Sequence, residues 1–215
     1  MRAVLFDLDG TLVDTAPDLG YALNLQRRLH NLDPLPDTVI RPYASHGTCG
    51  LLKIGFGLTP QDAAFAGMRE TYLELYEEAF CRRPMLFEGV AELLREIEQR
   101  GLLWGVVTNK PARFTLPMME RLNLSLRASC VVSGDDCVRP KPHPDTLLLA
   151  CERTGIAPAE TVYVGDAERD IIAGRAAGMS TIVACYGYLS ADDHPNAWGA
   201  NAMIEQPAEL LQLLG

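Results

Sequence analysis

Short apolar runs recur along the chain with turn residues at their ends: Ala3–Phe6, Leu103–Val107, Cys130–Ser133, Thr161–Val164 and Thr181–Cys185. Each is apolar on both faces, as strands of a parallel sheet covered by helices must be. Between the later runs the period changes. Val90, Leu93, Leu94 and Ile97 fall on one helical face and predict a helix over Val90–Gln99. Similar patterns predict helices over Leu116–Leu122, Thr146–Arg153 and Ala167–Ala177, the last closed by Gly178 as a C-cap. Strands alternating with helices imply right-handed crossovers and a doubly wound α/β sheet.

One interval breaks this rhythm. From Ala16 to about Arg83 no strand is predicted, only helical patterns at Asp18–Leu29, Asp37–Ile54 and Thr59–Phe80, punctuated by Pro34, Pro36, Gly47, Gly57 and Pro60. Connections between elements usually take ~2–6 residues, so this interval is far too long for one. Extra helices on the sheet would account for it, but a helical lid inserted after the first strand accounts for it better. Its hinges are expected near Ala16–Pro17 and Arg83–Pro84. That divides the chain into an α/β core, residues 1–15 and 84–215, and a cap, residues 16–83.

Composition changes this picture only at the edges. The chain has 215 residues, enough to bury roughly 70–75% of its unfolded surface without a staple. The net charge of −9 argues against a nucleic-acid surface but not against a small anionic substrate. The cysteines, Cys49, Cys81, Cys130, Cys137, Cys151 and Cys185, lack metal-type spacing and read as reduced core residues. Asp7 and Asp9 interrupt the N-terminal apolar run before it forms a secretion signal, and nothing approaches the ~20 apolar residues of a membrane span. A cytoplasmic protein, monomer or homodimer, without membrane or nucleic-acid partners is expected.

The polar residues that end the strands carry the chemistry, because a doubly wound sheet binds ligands beyond its carboxyl ends. The first run ends in Asp7, Leu8, Asp9, Gly10 and Thr11, and the second in Thr108, Asn109 and Lys110. A loop after the third carries Lys141 among Pro140, Pro142 and Pro144; the fourth leads to Asp166 and Asp170. Singly, each reads as a turn, a helix cap or a solvated charge. Together, neighbouring carboxylates repel unless a cation joins them, and hard oxygen ligands suit Mg²⁺. A lysine aimed at the same place completes a site for a phosphoryl group.

The stretches "DLDGT", "VVTN", "RPKPHP" and "VGDAERD" resemble the four motifs of haloacid dehalogenase superfamily phosphatases, over essentially the whole chain. The helical interval matches in position the small helical cap of the phosphoglycolate-phosphatase-like members. The resemblance implies that Asp7 attacks phosphorus to form an aspartyl-phosphate, and that Asp9 protonates the leaving alkoxide and later activates water. Residues i and i+2 of an extended segment share a side, so both acids can face one phosphorus. It further implies Mg²⁺ held by the Asp7 carboxylate, the Asp9 carbonyl and Asp166, with Asp170 either orienting a water or Lys141 or ligating the ion itself. Thr108 and the Asn109 backbone would bind phosphate oxygens, and Lys141 would neutralise charge. Gly10 permits a tight turn that Thr11, counted with the substrate-binding residues, helps to close.

The organic part of the substrate must be read elsewhere. Arg41, His46 and Lys53, in the cap stretch "RPYASHGTCGLLKIGFG", are candidates for an anionic or hydroxyl-rich leaving group; a capping histidine and a solvated lysine are the plainer readings. His30, His143 and His194 read as structural or surface residues. The tail "YGYLSADDHPNAWGAN" resembles that of bacterial phosphatases acting on N-acetylmuramic acid 6-phosphate in cell-wall sugar recycling. "LWGVVTNKPARFTLPMME" resembles the same group and the phosphoglycolate phosphatases. Both substrates carry a carboxylate. A phosphosugar mutase, a dehalogenase, an inactive scaffold and a phospho-Asp receiver domain are the rival readings; in the last, the phosphoacceptor comes from a later strand.

Overall fold

The computed structural model describes residues 1–80, 82 and 85–214. Six parallel strands form the main sheet: β1 (Ala3–Phe6), β4 (Leu103–Val107), β5 (Val131–Val132), β6 (Thr161–Gly165), β7 (Ser180–Ala184) and β8 (Ala202–Ile204). Their spatial order is β5-β4-β1-β6-β7-β8. The chain winds outward from β1 through β4 to β5, then returns to the other side of β1 with β6. Its direction reverses at the β1/β6 boundary, where such sheets open a crevice.

The strands are apolar on both sides because each side has its own core. Val4 and Phe6 of β1, Trp104 and Val106 of β4, and Val162 and Val164 of β6 face one cluster. That side is covered by α5 (Val90–Gln99), α6 (Ala112–Arg121) and α9 (Leu210–Leu213). The alternate residues Leu5, Val107 and Tyr163 face the other cluster, under α7 (Asp145–Thr154) and α8 (Glu168–Ala177). A strand buried on both faces tolerates no charge along its length, so charged residues collect where it ends.

The helical interval comprises α1 (Ala16–Leu29), α2 (Asp37–Ile40), α3 (Gly47–Phe56) and α4 (Phe65–Ala79). The single helix predicted over Asp37–Ile54 is broken by a 3₁₀ segment, Arg41–His46. Pro42 removes a backbone donor, and Gly47 adopts φ +57, outside the right-handed helical range. Helix α4 starts later than predicted, after a turn in which Asp62 caps Thr59. Leu23, Leu51, Leu52, Tyr72 and Tyr76 form the interval's own apolar cluster, joined from the sheet side by Phe114 and Tyr188.

The two ends of the interval meet in a small antiparallel pair, β2 (Val13–Asp14) with β3 (Met85–Leu86). Sequence reading missed this pair and the edge strand β8, because two or three residues are too few to show a period. The expected hinge at Arg83–Pro84 lies outside the described residues. Among the described residues, Cys49, Cys130, Cys137, Cys151 and Cys185 are free thiols, but only Cys130 and Cys151 are buried and Cys49 is exposed, which corrects the core reading for the rest; Cys81 lies outside the described residues. No helix among them is long and apolar enough to cross a membrane.

Candidate active site

The carboxyl ends of β1, β4 and β6 bring the sequence-predicted acids and lysine together. Asp7 is buried at the end of β1, its Oδ1 3.0 Å from Lys141 Nζ. The same ammonium lies 2.7 Å from Asp170 and donates to Tyr163 Oη at 2.7 Å and the Val107 carbonyl at 3.1 Å. Lys141 is thus fully enclosed, with its charge matched by carboxylates. The Asn109 side chain accepts from the Lys141 N–H at 3.0 Å and donates to its carbonyl at 2.8 Å. That clasp, from the end of β4, sets the loop that delivers the lysine.

Asp166, at the end of β6, is surrounded by donors from distant segments. Thr11 Oγ1 donates to it at 3.3 Å, the Tyr188 N–H at 3.0 Å and Ser45 Oγ at 2.5 Å. Gly10 has φ +85, and a Cβ there would lie 2.1 Å from Asp166 Oδ2; only glycine allows the first loop to pass so close. Asp7, Asp166 and Asp170 offer carboxylate oxygens all within 4.8 Å of one another.

This crowding shifts the carboxyl pKa values. Burial pushes Asp166 up to about 7, with Asp7 and Asp170 adding repulsion. Asp7 is likewise raised, chiefly by burial, although Lys141 opposes the shift. Three buried acids face two cations, the enclosed Lys141 and the Arg169 guanidinium, so negative charge remains in excess and an added cation would relieve it. The donor set, hard oxygens packed together, can bind a metal ion.

Asp7 and Asp9 open onto a cavity of about 340 Å³ between the sheet edge and the helical interval. Thr108, Asn109, Lys110 and Arg169 line it from the core; Ser45, His46, Arg69, Tyr72 and Tyr76 line it from the interval. Asp9 is held at 3.1 and 3.2 Å by Lys110 Nζ, which also donates to Tyr76 Oη at 2.9 Å. Arg169 Nη2 reaches the Ser45 carbonyl at 2.5 Å. Core and interval therefore touch through charged hydrogen bonds as well as apolar packing.

The other candidates fall elsewhere. Thr11 is turned toward Asp166 and does not line the cavity. Arg41 pairs with Asp14 at 3.0 Å and lies over the Phe87 and Tyr188 rings. Lys53 lines a separate pocket beside Asp192 and Asp193; His46 borders both pockets. Burial and the nearby Arg169 guanidinium lower the His46 pKa, favouring neutral imidazole. Ser45, Arg169 and Tyr188 have no part in the sequence reading, which places Lys110 at its strand end without a role. Only Lys110, directly after "VVTN", and Arg169, within "VGDAERD", carried a signal that could have found them.

A doubly wound sheet whose central strand ends in a lysine-bound aspartate, beside an acidic cluster and beneath a helical layer, defines a phosphoryl-transfer class of α/β hydrolase. The family model described as haloacid dehalogenase-like hydrolase matches residues 4–184, and the chain belongs to that family. It is 42% identical to the N-acetylmuramic acid 6-phosphate phosphatase of Pseudomonas aeruginosa, over 100% of this chain and 95% of the relative. It is 41% identical to the phosphoglycolate phosphatase of Xanthomonas campestris pv. campestris, over 97% and 94%. The crystal structure of a predicted phosphoglycolate phosphatase from Haemophilus somnus 129pt superposes with a TM-score of 0.86, covering 100% of this chain and 98% of that one. At 24% identity, that likeness is one of fold.

Proposed function

We propose that the chain hydrolyses a phosphomonoester through a phosphorylated Asp7, and that its substrate is a carboxylate-bearing sugar phosphate of the N-acetylmuramic acid 6-phosphate class. The observation that carries this reading is Asp7 itself, bound to Lys141 at 3.0 Å and open to the cavity with Asp9 beside it. The Asp7 carboxylate attacks phosphorus in line, and the bond to the leaving oxygen breaks as the Asp7 bond forms. Asp9 gives its proton to that oxygen; deprotonated, it then accepts one from the water that hydrolyses the aspartyl-phosphate. Lys141 offsets charge gathering on the nucleophile and the phosphoryl oxygens. Thr108 and the Asn109 backbone orient those oxygens, and Lys110 keeps Asp9 in place.

Asp7, Asp166 and the Asp9 carbonyl are the residues that would hold Mg²⁺, with Asp170 tied to Lys141 beside them. Bound there, the ion supplies Lewis-acid polarisation of the phosphoryl group. We read residues 1–15 and 84–215 as the catalytic core and 16–83 as a cap that excludes water from it. The relatives' names support a phosphatase, and a cavity of about 340 Å³ supports a sugar-sized leaving group. Phosphoglycolate is the second reading, favoured by the Xanthomonas relative; it would leave much of that cavity to water.

The deciding experiment measures phosphate release from N-acetylmuramic acid 6-phosphate, 2-phosphoglycolate and hexose phosphates, with and without Mg²⁺. Asp7→Asn should abolish turnover while the circular dichroism spectrum is kept. Near-normal activity in that variant, or full activity in excess chelator, would overturn the mechanism. A higher kcat/KM on 2-phosphoglycolate would overturn the substrate. Sugar-phosphate isomer without free phosphate would identify a mutase.

A further inference from the structure

The cavity receives side-chain cations of unequal availability. Lys110 is committed to Asp9 and to Tyr76 Oη. Arg169 is bonded to the Ser45 carbonyl and faces the acidic cluster. His46 is held toward its neutral form. Arg69 differs from all three: it projects from α4 at the exposed rim of the cavity, and no carboxylate among the described residues pairs with it. Arg41 and Lys53, the cations expected at the leaving group, are engaged with Asp14 or line the other pocket.

A substrate that seats its phosphate over Asp7 and carries a second anion needs a cation at the far side of the same cavity. Otherwise that anion meets the field of Asp7, Asp9 and the acidic cluster. We propose that Arg69 is a specificity-determining residue that receives the carboxylate of the leaving group. Its guanidinium has uncommitted donors in a planar fork, the geometry that grips a carboxylate with two parallel hydrogen bonds. Because α4 belongs to the helical interval, the carboxylate links that layer to a phosphate seated on the core. This inference rests on the substrate reading above and names the side chain that enforces it.

The test compares N-acetylmuramic acid 6-phosphate with N-acetylglucosamine 6-phosphate, which lacks only the lactyl ether and its carboxylate. The readout is the ratio of their kcat/KM values in the wild type, Arg69→Ala and Arg69→Lys, with melting temperatures as a folding control. The wild type should prefer the acid. Arg69→Ala should cut the preference about tenfold, mainly through KM, as loss of one charged hydrogen-bonded contact implies. Arg69→Lys should restore part of it. A preference that persists in a folded Arg69→Ala overturns the role of Arg69 and leaves the substrate reading standing. A wild type that treats both sugars alike overturns the substrate reading, and the inference with it.

Discussion

Tyr188→Phe removes a single oxygen that closes the interval's entry. That phenol accepts from the Thr15 N–H at 2.6 Å and the Ala16 N–H at 2.9 Å, and donates to Asp14 Oδ1 at 2.8 Å. Both of its lone pairs and its proton are therefore used. The two N–H groups belong to the start of α1, where helical donors have no internal partner. Thr15, at the N-cap position, makes no side-chain capping bond: its own hydroxyl is buried without a partner among the described residues. In the phenylalanine variant both donors stay buried and unpaired, at about 1–3 kcal/mol each. Asp14 keeps Arg41, so its loss is small. Partial rescue by an entering water brings the total to about 2–4 kcal/mol. For a chain of this size each 1 kcal/mol moves Tm by roughly 2–4 °C, so Tm should fall by roughly 4–16 °C. Urea denaturation should show a lower midpoint at unchanged slope. The main-chain N–H that holds Asp166 is untouched, so activity well below Tm should persist. A loss under about 0.5 kcal/mol, the scale of an ordinary surface change, would refute the capping role.

Two further outcomes follow from the site. Asp166 titrates near 7 instead of 3.8, so between those values the native metal-free chain keeps a proton that the unfolded chain has lost. The Asp166 contribution to stability in excess chelator is therefore fully present below about pH 4 and is lost as pH rises to 7, so the stability of wild type relative to Asp166→Asn should fall by a few kcal/mol over that window; saturating Mg²⁺ should flatten the difference. A wild-type urea midpoint that gains on that of Asp166→Asn as pH rises over that window in chelator would contradict the crowded-carboxylate picture. Lys110→Met frees Asp9 from its clamp, and its kcat should fall about tenfold or more on an alkyl phosphate, whose departure needs a proton. It should fall less on p-nitrophenyl phosphate, whose leaving group departs as the anion; equal losses would show that Lys110 does not act through Asp9.

Amphipathic pattern and strand-end chemistry carried much of this protein in one dimension. Short runs apolar on both faces, alternating with helical patterns, fit covered parallel strands, and such strands put their C-terminal ends on one edge. Asp7, Lys141, Asp166 and Asp170 met there although the first and last lie far apart along the chain. Asp9 lines the same cavity as Asp7, but β1 ends at Phe6 and the chain bends at Leu8 between them, so the alternation of an extended strand does not place it; Lys110 holds it there. The break of the middle helix at Pro42 and Gly47 was written in those residues too, but a period alone did not place it.

What the sequence determined by itself was thus the sheet and the acids and lysine at its edge, since local pattern and the geometry of parallel strands suffice for both. The tertiary structure alone decided which side chains surround them. Ser45 and Tyr188 reach Asp166, Lys110 takes Asp9, and Arg41 and Lys53 turn away while Arg69 remains at the cavity. The physical reason is distance along the chain. Those partnerships join segments that local periodicity cannot relate, and they exist only once the helical layer has packed against the sheet.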